Sequence, residues 1–154
     1  MLKINPVLTV KQRQMGEELI KEYTEYAEKF PEDSLSPQFL MRSALLYHAM
    51  PEYKLELKTF DLLVERYPES EYAPQALATA ARVCEENLND FNASQVYLEK
   101  IKNNYPQSPY AVNIDLQIEY IGDADGLLKA IMAQRGIDMD SLFSEHDSID
   151  TMKK

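Results

Sequence analysis

One cysteine, two histidines and four glycines stand in a chain of 154 residues, and each scarcity removes a class of protein. A lone cysteine, Cys84, builds no disulfide framework and no thiolate zinc site. His48 and His146 are far apart in sequence, and neither sits in a cluster with metal-ligand spacing. There is no glycine-rich phosphate loop and no G-x-S-x-G nucleophile elbow. No apolar run approaches the roughly eighteen residues a membrane span requires. The first ten residues, MLKINPVLTV, are broken by Asn5-Pro6 and lack the long apolar stretch of a secretory signal. Cations are scarce too, 16 against 26 acidic side chains, for a net charge of −10. Such a surface repels phosphate backbones, so nucleic acid is excluded as the expected partner.

What the chain does contain is ordinary globular composition, 45% hydrophobic and 27% charged, in a length suited to one domain. It also repeats itself. Phe30-Pro31-Glu32-Asp33-Ser34, Tyr67-Pro68-Glu69-Ser70 and Tyr105-Pro106-Gln107-Ser108 begin alike, with the prolines 37 and 38 residues apart. Pro37-Gln38 and Pro74-Gln75 follow at matching distances, and Ser43-Ala44 is matched by Ala80-Ala81. A fixed period of this length marks a repeat architecture.

Within each period the apolar spacing is helical. Phe39, Leu40, Ser43, Ala44 and Tyr47 form one stripe, and Leu77, Ala80, Ala81 and Cys84 form the next. Leu57, Phe60, Leu63 and Tyr67 mark a second helix of the pair, as do Leu98, Ile101 and Tyr105. Ser36 is expected to cap the helix that Pro37 opens, and Pro51 and Pro74 to open others. Asp90 is placed to cap the helix from about 91. The spacing predicts about seven helices, near 9–29, 37–49, 52–66, 74–87, 91–104, 110–121 and 124–135, and no strand.

The aromatic-Pro punctuation and the small residues at helix contacts resemble tetratricopeptide repeats (TPRs). Ala44, Tyr47, Phe60 and Pro68 fall at that family's signature spacing, as do Ala81, Cys84, Ser94, Leu98, Ile101 and Pro106. The chain departs from the pattern at Glu56, where a small residue is usual, at Cys84, which replaces a tyrosine, and at Asp115 in a degenerate third repeat. The resemblance covers about residues 9–135 and implies an all-α, right-handed superhelical solenoid of TPR-like hairpins. Residues 1–8 are then an extension and 136–154 an acidic tail, expected to be mobile. The longer period and the Tyr-Pro-Glu/Gln-Ser pattern are similar to the bacterial envelope TPR lipoproteins of the outer-membrane assembly and Tol–Pal coordinator type. By that resemblance the chain is a non-enzymatic scaffold. It is expected to be periplasmic or outer-membrane-associated where a signal has been removed, with a lipid anchor in a longer precursor. Otherwise it is expected to be a cytoplasmic TPR adaptor or chaperone-like regulatory protein without a carboxylate clamp.

The family's binding surface is the concave groove lined by the first helix of each hairpin. In this sequence that register selects Gln38, Met41, Leu45 and His48, then Gln75, Ala78, Arg82 and Glu85, then Asn113, Leu116 and Tyr120. The positions matching the carboxylate clamp of TPR co-chaperones are Met41, Leu45, Thr79, Asn113 and Gln117. None is a cation, so a carboxylate has no ion-pair partner there.

The remaining residues have structural readings. Cys84 behaves as a small buried hydrophobe. Gly122-Asp123-Ala124-Asp125-Gly126 is a helix stop and cap rather than a calcium loop. No catalytic residue, metal site or cofactor is expected, and the partner is another protein. The first helix has no hairpin mate, so the N-terminal end is expected to support self-association or partner docking unless residues 1–10 fold over it. The tail from Ile137 holds five acids and two lysines. It reads as a solubilising segment or, through Leu142-Phe143, as an anchor.

Overall fold

An aromatic residue followed by proline ends a helix at three places, and those stops organise residues 7–138, which the computed structural model describes. Seven α-helices occur among them: α1 (Val10–Lys29), α2 (Leu35–Ala49), α3 (Tyr53–Arg66), α4 (Tyr72–Glu86), α5 (Phe91–Asn104), α6 (Ile114–Glu119) and α7 (Ala124–Gln134). A single 3₁₀ turn, Pro109–Ala111, precedes α6, and no strand is present among the described residues. Each helix packs on the next in sequence, and α2 also touches α4. This is the neighbour-on-neighbour packing of a helical repeat.

The three stops share one geometry. Phe30, Tyr67 and Tyr105 leave the helical region at φ −126°, −128° and −132°, because the following proline ring crowds an α conformation. Each still donates its N–H to the carbonyl four residues back, at 2.8 Å. The N–H groups of Asp33, Ser70 and Ser108 then bond the carbonyls of those aromatic residues at 3.0–3.1 Å. Ser36, Ala73 and Ala111 close a second turn on Asp33, Ser70 and Ser108, all at 3.0 Å. The repeat in the sequence is therefore a repeat in hydrogen bonding.

Tyrosine adds a link between repeats. The Tyr67 hydroxyl donates to the Pro31 carbonyl at 2.9 Å, and Tyr105 donates to the Pro68 carbonyl at 2.8 Å. Each hydroxyl thus ties its own stop to the preceding one. Tyr67→Phe and Tyr105→Phe are each expected to cost about 0.5–1.5 kcal/mol in urea unfolding. An unchanged midpoint in both variants would show that water serves those carbonyls equally well.

Small side chains let the helices approach. Ala44, Ala80 and Ala81 are buried with Leu40, Phe60, Leu63, Leu77, Leu98 and Ile101 in one continuous core. Cys84 lies inside it, and burial, reinforced by Asp90, Asp61 and Glu85, pushes its thiol up to about 11. The protonated thiol packs as a small hydrophobe.

Three local expectations are corrected. Ser36 does not cap α2. The helix begins at Leu35, Asp33 Oδ1 accepts the Leu35 N–H at 2.8 Å, and the buried Ser36 hydroxyl donates to the Phe30 carbonyl at 2.6 Å. Pro51 does not open a helix either, since it lies in the turn before α3. The helix expected over 110–121 is broken, because Asn113 takes the left-handed conformation at φ +57°. Asparagine is among the few residues that enter that region readily. What remains is the 3₁₀ turn and the six-residue α6. Asp90 does cap α5, accepting the Ala93 N–H at 3.0 Å. Gly122, at φ +79°, and Asp123, which accepts the Gly126 N–H at 2.9 Å, form the stop and cap between α6 and α7.

Residues 1–6 and 139–154, with His146 and Leu142-Phe143, lie outside the described residues. In α1, which Thr9 and Gln12 start with a reciprocal capping box, Met15 and Leu19 are exposed.

Candidate functional site

The first-helix register selected from the sequence falls on α2 and α4, and its residues divide by what they touch. Leu45 is 48% exposed, and Arg82, one repeat later at the equivalent position, is also exposed. Gln38, Gln75 and Ala78 are half-buried beside them. Met41 is different. It is buried with Leu40 and Ala44 in the core and is not a residue of the open face.

The third row does not continue the register. Asn113 is the left-handed residue ahead of α6, and its carbonyl accepts the Gln117 N–H at 2.9 Å. Leu116 is half-buried within this single short helix. Tyr120 ends α6 close under Gly126, where a Cβ on the glycine would meet the tyrosine ring at 2.8 Å. That closeness places Tyr120 in the α6–α7 turn.

His48 and Glu85, equivalent positions near the ends of α2 and α4, are committed to internal bonds. His48 Nδ1 lies 3.1 and 2.9 Å from the two carboxylate oxygens of Glu56 on α3. One repeat later the polarity is exchanged: Ser94 on α5 donates to Glu85 Oε1 at 2.6 Å. The other oxygen, Oε2, accepts the Gly122 N–H at 3.2 Å. Glu56 and Ser94 occupy equivalent positions of the repeat, and both are wholly buried. The sequence marks Glu56 as too large for that position. It does not indicate that His48, eight residues earlier, supplies the compensating partner.

A carboxylate with no exposure needs such compensation. Burial raises the Glu56 pKa, opposed by the His48 hydrogen bond and charge and by the charge of Arg82. A second polar link joins successive second helices, where the hydroxyl of the buried Tyr97 donates to Oδ1 of the exposed Asp61 at 3.0 Å. Burial and Asp61 together raise the Tyr97 pKa.

Two hollows adjoin this region. One, of about 330 Å³, is lined by Leu19, Tyr23, Arg42, Leu45 and Leu46. Behind it Tyr23 stacks on Phe39 at 4.9 Å, and the Arg42 guanidinium lies 5.9 Å from the Phe39 ring centre. The other, of about 650 Å³, lies at the α2–α3 turn and is lined by Leu8, Arg13, His48, Met50, Tyr53 and Asn87 among others. Its arginine and histidine side chains already have partners. Arg13 pairs with Glu52 at 2.5 Å and Glu17 at 3.2 Å, and His48 is held by Glu56.

No group of three or more His, Cys, Asp and Glu side chains among the described residues is arranged to hold a metal ion. No helix among them is long and apolar enough to cross a membrane. The exposed side chains of this region are apolar and cationic, Leu45, Arg42 and Arg82, while Glu56, Glu85 and Asp61 are engaged in holding helix to helix. No protein-family model, curated protein or solved structure matches the chain.

Proposed function

We propose that this protein is a non-enzymatic interaction scaffold, a right-handed TPR-like solenoid that takes a segment of a partner protein along the open face of α2 and α4. The observation that carries the reading is the pair of equivalent positions Leu45 and Arg82. They stay exposed while Ala44, Ala80 and Ala81 beside them are buried in the core. Recognition by such a face proceeds through side chains spaced along helices that the repeat holds in place. The sequence resemblance favours a bacterial cell envelope setting, as a periplasmic or lipid-anchored adaptor. The exposed Met15 of α1 supports a second contact at the N-terminal end, between two copies of the chain.

In native cells, a photo-crosslinking residue at Leu45 or Arg82 is expected to capture a different protein, and one at Met15 a second copy. The same probe at Glu65, on the outer side of α3, is expected to capture neither. Adducts as abundant from Glu65 as from Leu45 would sink the face assignment. Adducts found in the periplasmic or membrane fraction support the envelope setting, and adducts in the cytosol replace it with a cytosolic adaptor.

A further inference from the structure

Charge is distributed unevenly over the helices. The chain carries −10 overall, yet α2 has no acidic residue and α4 has none before Glu85 and Glu86. Glu85 is already engaged by Ser94 and the Gly122 N–H. The cations on these two helices are Arg42 and Arg82, both exposed, and neither has an ion pair within 4.0 Å among the described residues. Arg82 acts electrostatically on Glu56, which His48 holds. By the repeat it stands at the position equivalent to Leu45, on a helix that touches α2 directly. Among the described residues Arg42 is the one charged group on the wall of the 330 Å³ hollow, which Leu19, Tyr23, Leu45 and Leu46 also line.

We infer that the segment bound on this face is acidic and carries bulky aliphatic side chains, one of which enters the hollow between α1 and α2 while its carboxylates meet Arg42 and Arg82. The inference rests on the scaffold reading above and adds the chemistry of the partner. A basic segment would meet two cations on the face that hold no ion pair within 4.0 Å among the described residues. An acidic one meets complementary charge there, while the acidic remainder of the surface disfavours docking elsewhere. The apolar wall supplies the contact area, and the arginines select for carboxylates through their forked donors.

The test uses the full chain and labelled synthetic peptides of about 15 residues, with leucines at helical spacing and Glu, Gln or Lys at every other position. In fluorescence anisotropy at low salt the Glu peptide is expected to bind about tenfold more tightly than the Gln peptide. The Lys peptide should bind least, and the Glu advantage should shrink at high salt. Arg42→Glu with Arg82→Glu should reverse the order, while Lys100→Glu on α5 should leave it unchanged. Equal binding of the Glu and Gln peptides, both lost in Leu45→Asp, would overturn the charge assignment and leave the face reading standing. Binding indifferent to Leu45→Asp and to both arginine reversals would overturn both. Failure of all three peptides, or preferential binding of anionic phosphatidylglycerol vesicles over the Glu peptide, would overturn the inference by itself.

Discussion

Replacing His48 with alanine is expected to destabilise the fold by about 2–4 kcal/mol, the cost of leaving a buried carboxylate without its donor. The figure lies toward the lower part of the range for broken buried pairs because the His48 side chain is 46% exposed, so water can enter where the ring stood. Glu56, by contrast, has no exposure of its own. Adding Glu56→Met to His48→Ala removes the carboxylate while keeping a flexible side chain of similar volume, and should restore most of the loss. Urea unfolding of the two single variants and the double gives the coupling directly. A double variant no more stable than His48→Ala would show that the cost came from lost packing of the imidazole against Tyr53, whose ring centre lies 5.5 Å away.

The same carboxylate predicts a pH dependence whose sign follows from its environment. Burial raises the folded-state pKa of Glu56 above the ordinary 4.5. Below the unfolded value both states are protonated, and the full contribution to stability is present. As pH rises the unfolded chain releases its proton first, while the native state must ionise a buried group. Stability therefore falls until the pH has passed the folded value. Groups remote from Glu56 cancel in a comparison with Glu56→Gln, but His48, bonded to it, does not; on the acidic side of the ordinary histidine range, from about pH 4 to about pH 5.5, the wild type should therefore lose stability relative to that variant. A relative gain over that interval would mean that His48 and Arg82 favour the carboxylate more than burial penalises it.

Which features could be read from the sequence depends on how local their causes are. Phe30-Pro31, Tyr67-Pro68 and Tyr105-Pro106 were legible as helix stops because the clash between a proline ring and the residue before it acts within one peptide unit. The alanines at 44, 80 and 81 were legible because helical spacing alone places them on a packed stripe. Ser36 was misread as a cap because its hydroxyl has a choice of backbone partners. The chain direction at Phe30, not the local sequence, decides that choice. The break at Asn113 was hidden for a related reason: helical periodicity over 110–121 does not register one residue with positive φ. Of the selected face, Leu45 and Arg82 are exposed, but Met41 is not. Its repeat-equivalent, Ala78, is half-buried, so equal register does not confer equal exposure. The His48–Glu56 pair was least legible, since it exists only once α2 and α3 have docked.

The neighbour-on-neighbour packing makes a final prediction about where a core truncation is felt. Phe60 and Leu98 are equivalent residues of α3 and α5, 1% and 4% exposed. Phe60→Ala is expected to cost about 3–5 kcal/mol, and Leu98→Ala about 2–5 kcal/mol. The more informative difference lies in the extent of unfolding. Phe60 sits on a helix flanked by α2 and α4, each with its own buried face, so losing it weakens the interior of the array. Leu98 sits on α5, beyond which α6 has only Ile114 buried and α7 has no buried residue. In a nearly one-dimensional array a defect near the weaker end releases that end before the rest. Native-state hydrogen exchange should therefore show Leu98→Ala lowering protection in α5 and α6 while α2 and α3 keep theirs. Phe60→Ala should lower protection across all the helices together. Uniform loss in both variants would mean that the array unfolds as one unit, with a cooperativity longer in range than the packing of each helix on its neighbour.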